Sequence, residues 1–218
     1  MRKFLEWGGV AAGAILIAFG IVAIIMGVNG RSTVRDSIKQ EQIVGSADMT
    51  PAAIATEAKQ AKLPDTIALP SCTVAGKAVV NGTTARCFAQ YMRIHTFEAT
   101  GGFTYSQMGR FAAKPDAPVT ALAKGGGTDD AKYALVDPTT KQPVANGARN
   151  IWVTETALTT ALNTSYLAEN LSLFGVVVGV ALLLSGIGFM ILSLFGALRP
   201  SALRERSAQV TGKLAGAS

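Results

Sequence analysis

Histidine and cysteine are nearly missing from this chain: its 218 residues include one His and two Cys. A haem or multi-ligand metal centre is therefore not expected, since protein metal sites commonly take three or four side chains. No Gly-rich phosphate loop of the Walker type occurs, and no Gly-x-Ser-x-Gly elbow turns the many Ser and Thr residues into a nucleophile. Charge is scarce as well, at 16% of residues, where a soluble domain carries about a quarter. It is wholly missing over the 24 residues Trp7 to Gly30 and the 29 residues Asn170 to Leu198. Neither run contains Pro or an ionisable group that would mark an ion pathway or proton relay.

What fills these runs is apolar. AAGAILIAFGIVAIIMGV lies in the first and LFGVVVGVALLLSGIGFMILSLFGAL in the second, and either exceeds the roughly 20 helical residues that cross a hydrocarbon core of about 30 Å. Arg2 and Lys3 before the first run would suit a secretory signal, but the run is long and MGVNGR offers no small-x-small cleavage site, so an uncleaved anchor is expected. Arg2 and Lys3 precede the first span, and Arg199, Arg204, Arg206 and Lys213 follow the second. Positive charge favours the cytoplasmic side, which predicts a two-pass plasma-membrane protein with both termini inside. Arg31, Arg35 and Lys39 oppose this, partly offset by Asp36 and Glu41. The 139-residue loop they begin is long enough to cross largely regardless of its charge. The expected segments are a cytoplasmic N-terminus (1–6), a first transmembrane helix (7–30), an extracytoplasmic domain (31–169), a second transmembrane helix (170–198) and a basic cytoplasmic tail (199–218).

Both cysteines, Cys72 and Cys87, fall in that loop, fifteen positions apart. An even pair in an outer domain reads as a disulfide worth about 3 kcal/mol by chain entropy. Two reduced buried thiols in a cytoplasmic loop would demand the opposite topology. No C-x-x-C spacing suggests redox catalysis.

The loop reads as mostly helical. RSTVRDSIKQEQIV has no Gly or Pro before Gly45, so the first membrane helix is expected to run on past the bilayer. Thr50-Pro51 is an N-cap and first-turn pair for a short Ala-rich helix ending before Pro64. Leu69 to Val80 suggests short strands or extended segments. Thr83 or Thr84 would cap a helix through ARCFAQYMRIHTFEAT, closed by Gly101-Gly102, with Phe88, Tyr91, Met92 and His95 on one face. Thr104 would cap a further helix, YSQMGRFAA. Residues 115–132, with three consecutive glycines and Asp129-Asp130, read as a mobile connection, and YALV with KQPV as a small hairpin. From about Ile151 to Leu194 no breaker interrupts one long helix. The expected fold is a mainly α membrane protein, with two antiparallel transmembrane helices extended outside the bilayer and a small, disulfide-linked helical domain between them.

Small residues in the spans are ordered. Gly13, Gly20 and Gly27 recur every seven positions, as do Gly179, Gly186 and Ser193, while Gly175 and Gly179 are four apart. Such stripes let helices approach closely, here either within one chain or between two copies. His95 with Glu98 and Tyr91 offers a polar cluster, but two ligands from one helix do not make a metal site, and a structural role is expected. Asp129-Asp130 lacks the alternating oxygens and terminal Glu of a calcium loop. The loop carries 14 basic and 12 acidic residues, too balanced a surface to track phosphates, so no nucleic acid partner is expected. Asn81, Asn163 and Asn170 match the glycosylation pattern, which has meaning only in a secretory eukaryotic setting.

YMRIHTFEATGGFTYSQMGRF, NGARNIWVTETALTTALNTSYLAE and RSTVRDSIKQEQIVGSADMTP resemble a family of actinobacterial two-span membrane proteins of unassigned function, over nearly the whole chain. Some members are labelled the small subunit of an aromatic ring-opening dioxygenase. Extradiol cleavage needs iron held by two His and a carboxylate, and this chain has His95 alone, so the label does not carry over. The resemblance implies placement rather than activity. The expected function is that of a non-enzymatic structural or accessory component of the cell envelope, without a cofactor, whose partners are the lipid bilayer and either another copy or other envelope membrane proteins. The alternative is an extracytoplasmic module that binds a lipid or small molecule between the two projecting helices and the helix of Phe88, Tyr91 and Met92, which predicts an apolar pocket there.

Overall fold

The computed structural model describes residues 2–195, the first five as backbone only. The tail expected at 199–218 lies outside the described residues. Four α-helices carry the fold: α1 (Arg2–Gln40), α2 (Pro51–Gln60), α3 (Gly82–Ala99) and α4 (Gly147–Leu194). Among the described residues there are no strands, only isolated β-bridges. Two helices are long and apolar enough to cross a membrane, with mean hydropathies of 2.6 and 2.5 in their apolar windows. Only 11% of either window is buried, which is unlike the core helix of a soluble protein. The chain divides into two compact units.

The first unit comprises the described residues up to Ser32 and from Asn170 onward. Its helical segments are antiparallel, because the contacts rise by seven along α1 and fall by seven along α4. A Cβ at Gly13 would lie 2.8 Å from Gly186 O, at Gly20 2.7 Å from Gly179 O, and at Gly27 2.6 Å from Ser172 O. The buried residues of this unit are all small: Gly13, Gly20, Gly27, Gly179, Gly186 and Ser193. Larger side chains such as Phe19, Met26, Phe174 and Leu184 point outward.

The second unit spans Thr33–Glu169. α1 continues to Gln40, and Gln42 turns the chain with φ of 52°. Thr50 Oγ1 accepts from Ala53 N at 3.2 Å, so the Thr-Pro pair does start α2. The Leu69–Val80 stretch is extended, bridging Val44 and Gly45 to Ala78 and Ala75 without forming a strand. α3 is capped differently from expectation. Asn81 is its N-cap, accepting from Thr84 N at 2.9 Å, and Thr84 returns the contact to Asn81 N as the third helical residue. Asn81, with a backbone one residue before Gly82, reaches the third amide better than either threonine inside the helix. Gly101 and Gly102 close it at φ of 62° and 83°.

Two further expectations fail after α3. YSQMGRFAA forms a single 3-10 turn, Tyr105–Gln107, because Met108 is buried and the chain then runs extended, with Gly109 against the backbone of Thr128. Residues 115–132 are not a loose connection. Thr128 is fully buried, bridges Phe111 and Leu122, and short turns form at Val119–Ala121 and Ala131–Tyr133. Gly126 and Gly127, at φ of 82° and 72°, supply the tight reversal that makes this possible. Val136 does bridge Pro143 as a small hairpin, with Asp137 accepting from the Thr139 and Thr140 amides. α4 starts at Gly147, four residues before the expected point, where Asn146 Oδ1 accepts from Ala148 N.

Candidate functional site

α3 organises the second unit because its sides pack on two separate clusters. On one side Cys87, Tyr91 and Ile94 meet Met49, Ile54 and Val74. On the other Ala85 and Ala89 meet Ile38, Val79 and Leu162. Phe88 packs against both, and Met92 against the second alone. The expected single face of Phe88, Tyr91, Met92 and His95 is thus divided: an 18-residue helix in a small domain is enclosed from more than one direction.

Cys72 and Cys87 are joined, with Cα atoms 6.1 Å apart. The bond ties the extended segment to the first turns of α3. Tyr91 reinforces it one turn later, donating its hydroxyl to Cys72 O at 2.5 Å, and burial pushes the phenol's pKa up. At the start of α3, Gly82 N donates to Glu169 Oε2 at 2.6 Å, while Arg35 binds Glu169 Oε1 at 2.7 Å. A Cβ at Gly82 would meet Tyr166 Cα at 2.6 Å, so glycine is required for this close approach. One carboxylate therefore links α1, α3 and α4, placed where the positive end of the α3 dipole favours it.

These three helices leave a pocket of about 550 Å³ between them, within the usual range for small-molecule sites. Ile38, Ile43, Phe88, Met92, Leu158 and Leu162 make its wall, and Ser37, Glu41 and Ser165 bring polar groups to it. A second hollow of about 340 Å³ shares Met92 and Leu158 and continues along α4 to Ile151 and Asn150. The first, mainly apolar, is the trough beside α3. Its place beside α3 could be anticipated from Phe88 and Met92, and its α4 side from Leu158 and Leu162 four apart; Ile43, in the turn after α1, carries no local signal.

Several polar side chains pair nearby, and Glu155 also lines the second hollow. Arg93 lies 4.2 Å over the Trp152 ring and 3.3 Å from Glu155, whose side chain is 2% exposed. Trp152 Nε1 donates to Phe103 O at 2.7 Å, which anchors the start of α4 to the end of α3. His95 Nδ1 is 3.2 Å from Glu98 Oε2, and His95 Nε2 is 3.2 Å from Asp48 Oδ2. Tyr91, expected beside them, turns instead to Cys72 O. Asp129 accepts from Arg110 N at 3.0 Å, and this hydrogen bond, helped by the Arg110 and Arg149 charges, holds its carboxyl below the usual range. Asp130 caps the following turn through Lys132 N. Asp129 and Asp130 both remain exposed, as a solvated loop requires, while their carboxylates order its turns.

In the first unit the glycine stripes face each other within one chain. Gly13, Gly20, Gly27, Gly179 and Gly186 each have backbone of the opposing helix under 3.0 Å from a would-be Cβ, whereas Gly175 has only 4.0 Å contacts. No family model, no curated protein and no solved structure matches this chain.

Proposed function

We propose that this chain is a non-enzymatic two-pass plasma-membrane protein whose extracytoplasmic unit binds the acyl chain of a lipid-like amphiphile. The observation that carries this reading is the trough, about 550 Å³, between α1, α3 and α4. An apolar wall would take the hydrocarbon, and Ser37, Glu41 and Ser165 would meet a polar head. The disulfide supports a non-reducing compartment for Thr33–Glu169, and the basic residues flanking the spans support cytoplasmic termini.

The test is titration of the detergent-solubilised full chain with a dansyl-labelled long-chain fatty acid. Saturable binding is expected, weakened at least about tenfold by Met92→Trp, which fills the wall, at roughly the 1.4 kcal/mol per decade of affinity. Val119→Trp, at an exposed position away from the pocket wall, should leave it unchanged. Equal binding by the wild-type and Met92→Trp proteins would rule the site out.

The accessory-component reading has its own support in Val119, 84% exposed on a turn of the second unit. A partner protein docking there would be lost on Val119→Asp, read as the mass of the complex purified from native membranes. Self-association through the glycine stripes is less favoured, because their contacts are made within the chain.

A further inference from the structure

His95 is the chain's one histidine, and three carboxylates from separate places converge on it. Asp48 comes from the turn between α1 and α2, Glu57 from α2, and Glu98 from one turn further along α3. One ligand atom each from Asp48, Glu57 and His95 can be chosen so that all lie within 4.8 Å of one another. That separation suits three ligands around one ion at metal-ligand distances of about 2.0–2.2 Å.

The two ring nitrogens of His95 face different carboxylates. Glu98 Oε2 at 3.2 Å from Nδ1 favours a proton on that nitrogen. Nε2 lies 3.2 Å from Asp48 Oδ2. Nε2 is moreover covered from solvent and makes no hydrogen bond in the described structure, and neither does the covered Glu98 Oε1. A histidine whose distal nitrogen is held by a carboxylate is the usual arrangement of an imidazole that binds a metal through its other nitrogen.

The framework around these groups is firm. Met49, Ile54 and Ile94, each beside or one turn from a ligand, are buried in the cluster that also holds Cys87. The side chains of His95 and Asp48 are each 31% exposed, so an ion can reach them from solvent.

We propose that Asp48, Glu57 and His95 bind one divalent transition-metal ion of the zinc class, with Glu98 as a positioning residue that orients the imidazole. One nitrogen and two carboxylate ligands favour such an ion over magnesium or calcium, which prefer all-oxygen sets. Three protein ligands leave a further position to water. The site is separate from the acyl trough, whose wall contains none of the three ligands.

Because the chain has a single histidine, the test is unambiguous if the full chain is purified without a polyhistidine tag. After chelator treatment, the ring signals of the ¹³C-histidine-labelled protein in detergent are followed as Zn²⁺ is added, then in a second sample as Mn²⁺ is added. The expected result is a shift that saturates at one equivalent of Zn²⁺, broadening by Mn²⁺, and no competition from a tenfold excess of Ca²⁺. Asp48→Asn and Glu57→Gln should each weaken Zn²⁺ binding at least tenfold, and Glu98→Gln by less. A histidine signal that responds to pH as an imidazolium between carboxylates but ignores Zn²⁺ overturns the proposal. So does a shift of equal affinity in the Asp48→Asn and Glu57→Gln proteins. The wild-type titration is decisive by itself should either variant fail to fold.

Discussion

The two units reach close packing by opposite means. In the first, the buried positions are glycines and one serine, and the large apolar side chains face outward. In the second, Tyr91, Ile54, Ile94 and Met108 are enclosed while a disulfide and ion pairs bind the periphery. Water rewards burial of apolar area, so a domain in water places its large side chains inside. Between helices in lipid that reward vanishes, and association depends on backbones that approach closely enough for van der Waals contact. Each pattern suits the solvent proposed for its unit. The second unit is also short of core: its clusters are small, and covalent and charged ties supply what hydrophobic burial does not.

The comparison is tested most severely in the first unit. Gly20→Leu should separate the paired helices, since the nearest atoms to its Cβ, at 2.7 Å, are backbone that cannot move aside. The cost should exceed the about 1–3 kcal/mol of ordinary overpacking. Loss of energy transfer between labels at the helix ends would report it, with Gly175→Ala as the silent control. Next in size, replacing Cys72 and Cys87 by Ser should cost the second unit about 3 kcal/mol. Limited proteolysis should then cut within Thr33–Glu169 while the first unit stays protected; equal sensitivity in both would break the contrast.

Glu169→Ala should remove the acceptor of Gly82 N and the partner of Arg35, at about 1–3 kcal/mol. Faster hydrogen exchange at the first amides of α3 is the measurement. The smallest effect is at Asp129, whose carboxyl is held below its ordinary value first by the Arg110 amide and then by the arginine charges. A depressed folded-state pKa contributes stability above the unfolded value, near 4, that is lost as the pH falls through the folded value. Asp129→Asn should therefore lower Tm slightly at pH 7 and flatten its decline in acid, where the wild-type protein loses the same contribution.

Local pattern made a good part of this legible. Uninterrupted hydropathy marked both long helices, Thr50-Pro51 marked α2, and the spacing of Gly13, Gly20 and Gly27 marked a stripe. α3 was visible but misread at its start, because Asn81, Thr83 and Thr84 are all good caps and only the chain's path into the helix selects Asn81. The segment from Pro115 to Lys132 looked loose because Gly, Asp and Pro signal turns equally in free and in packed loops. What distinguishes it is Thr128, buried between Phe111 and Leu122.

The sequence by itself determined where the long, uncharged apolar runs lie, since charge and hydropathy are properties of contiguous runs that no fold can redistribute. It also determined the chemical possibility of one disulfide, because it carries two cysteines. Only the tertiary structure decided that the glycine stripes meet within the chain, that a trough opens beside Met92, and that Asp48 and Glu57 stand around His95. Those depend on residues brought together from 38 to 173 positions apart, and the free energy of such contacts belongs to packing rather than to any local stretch of chain.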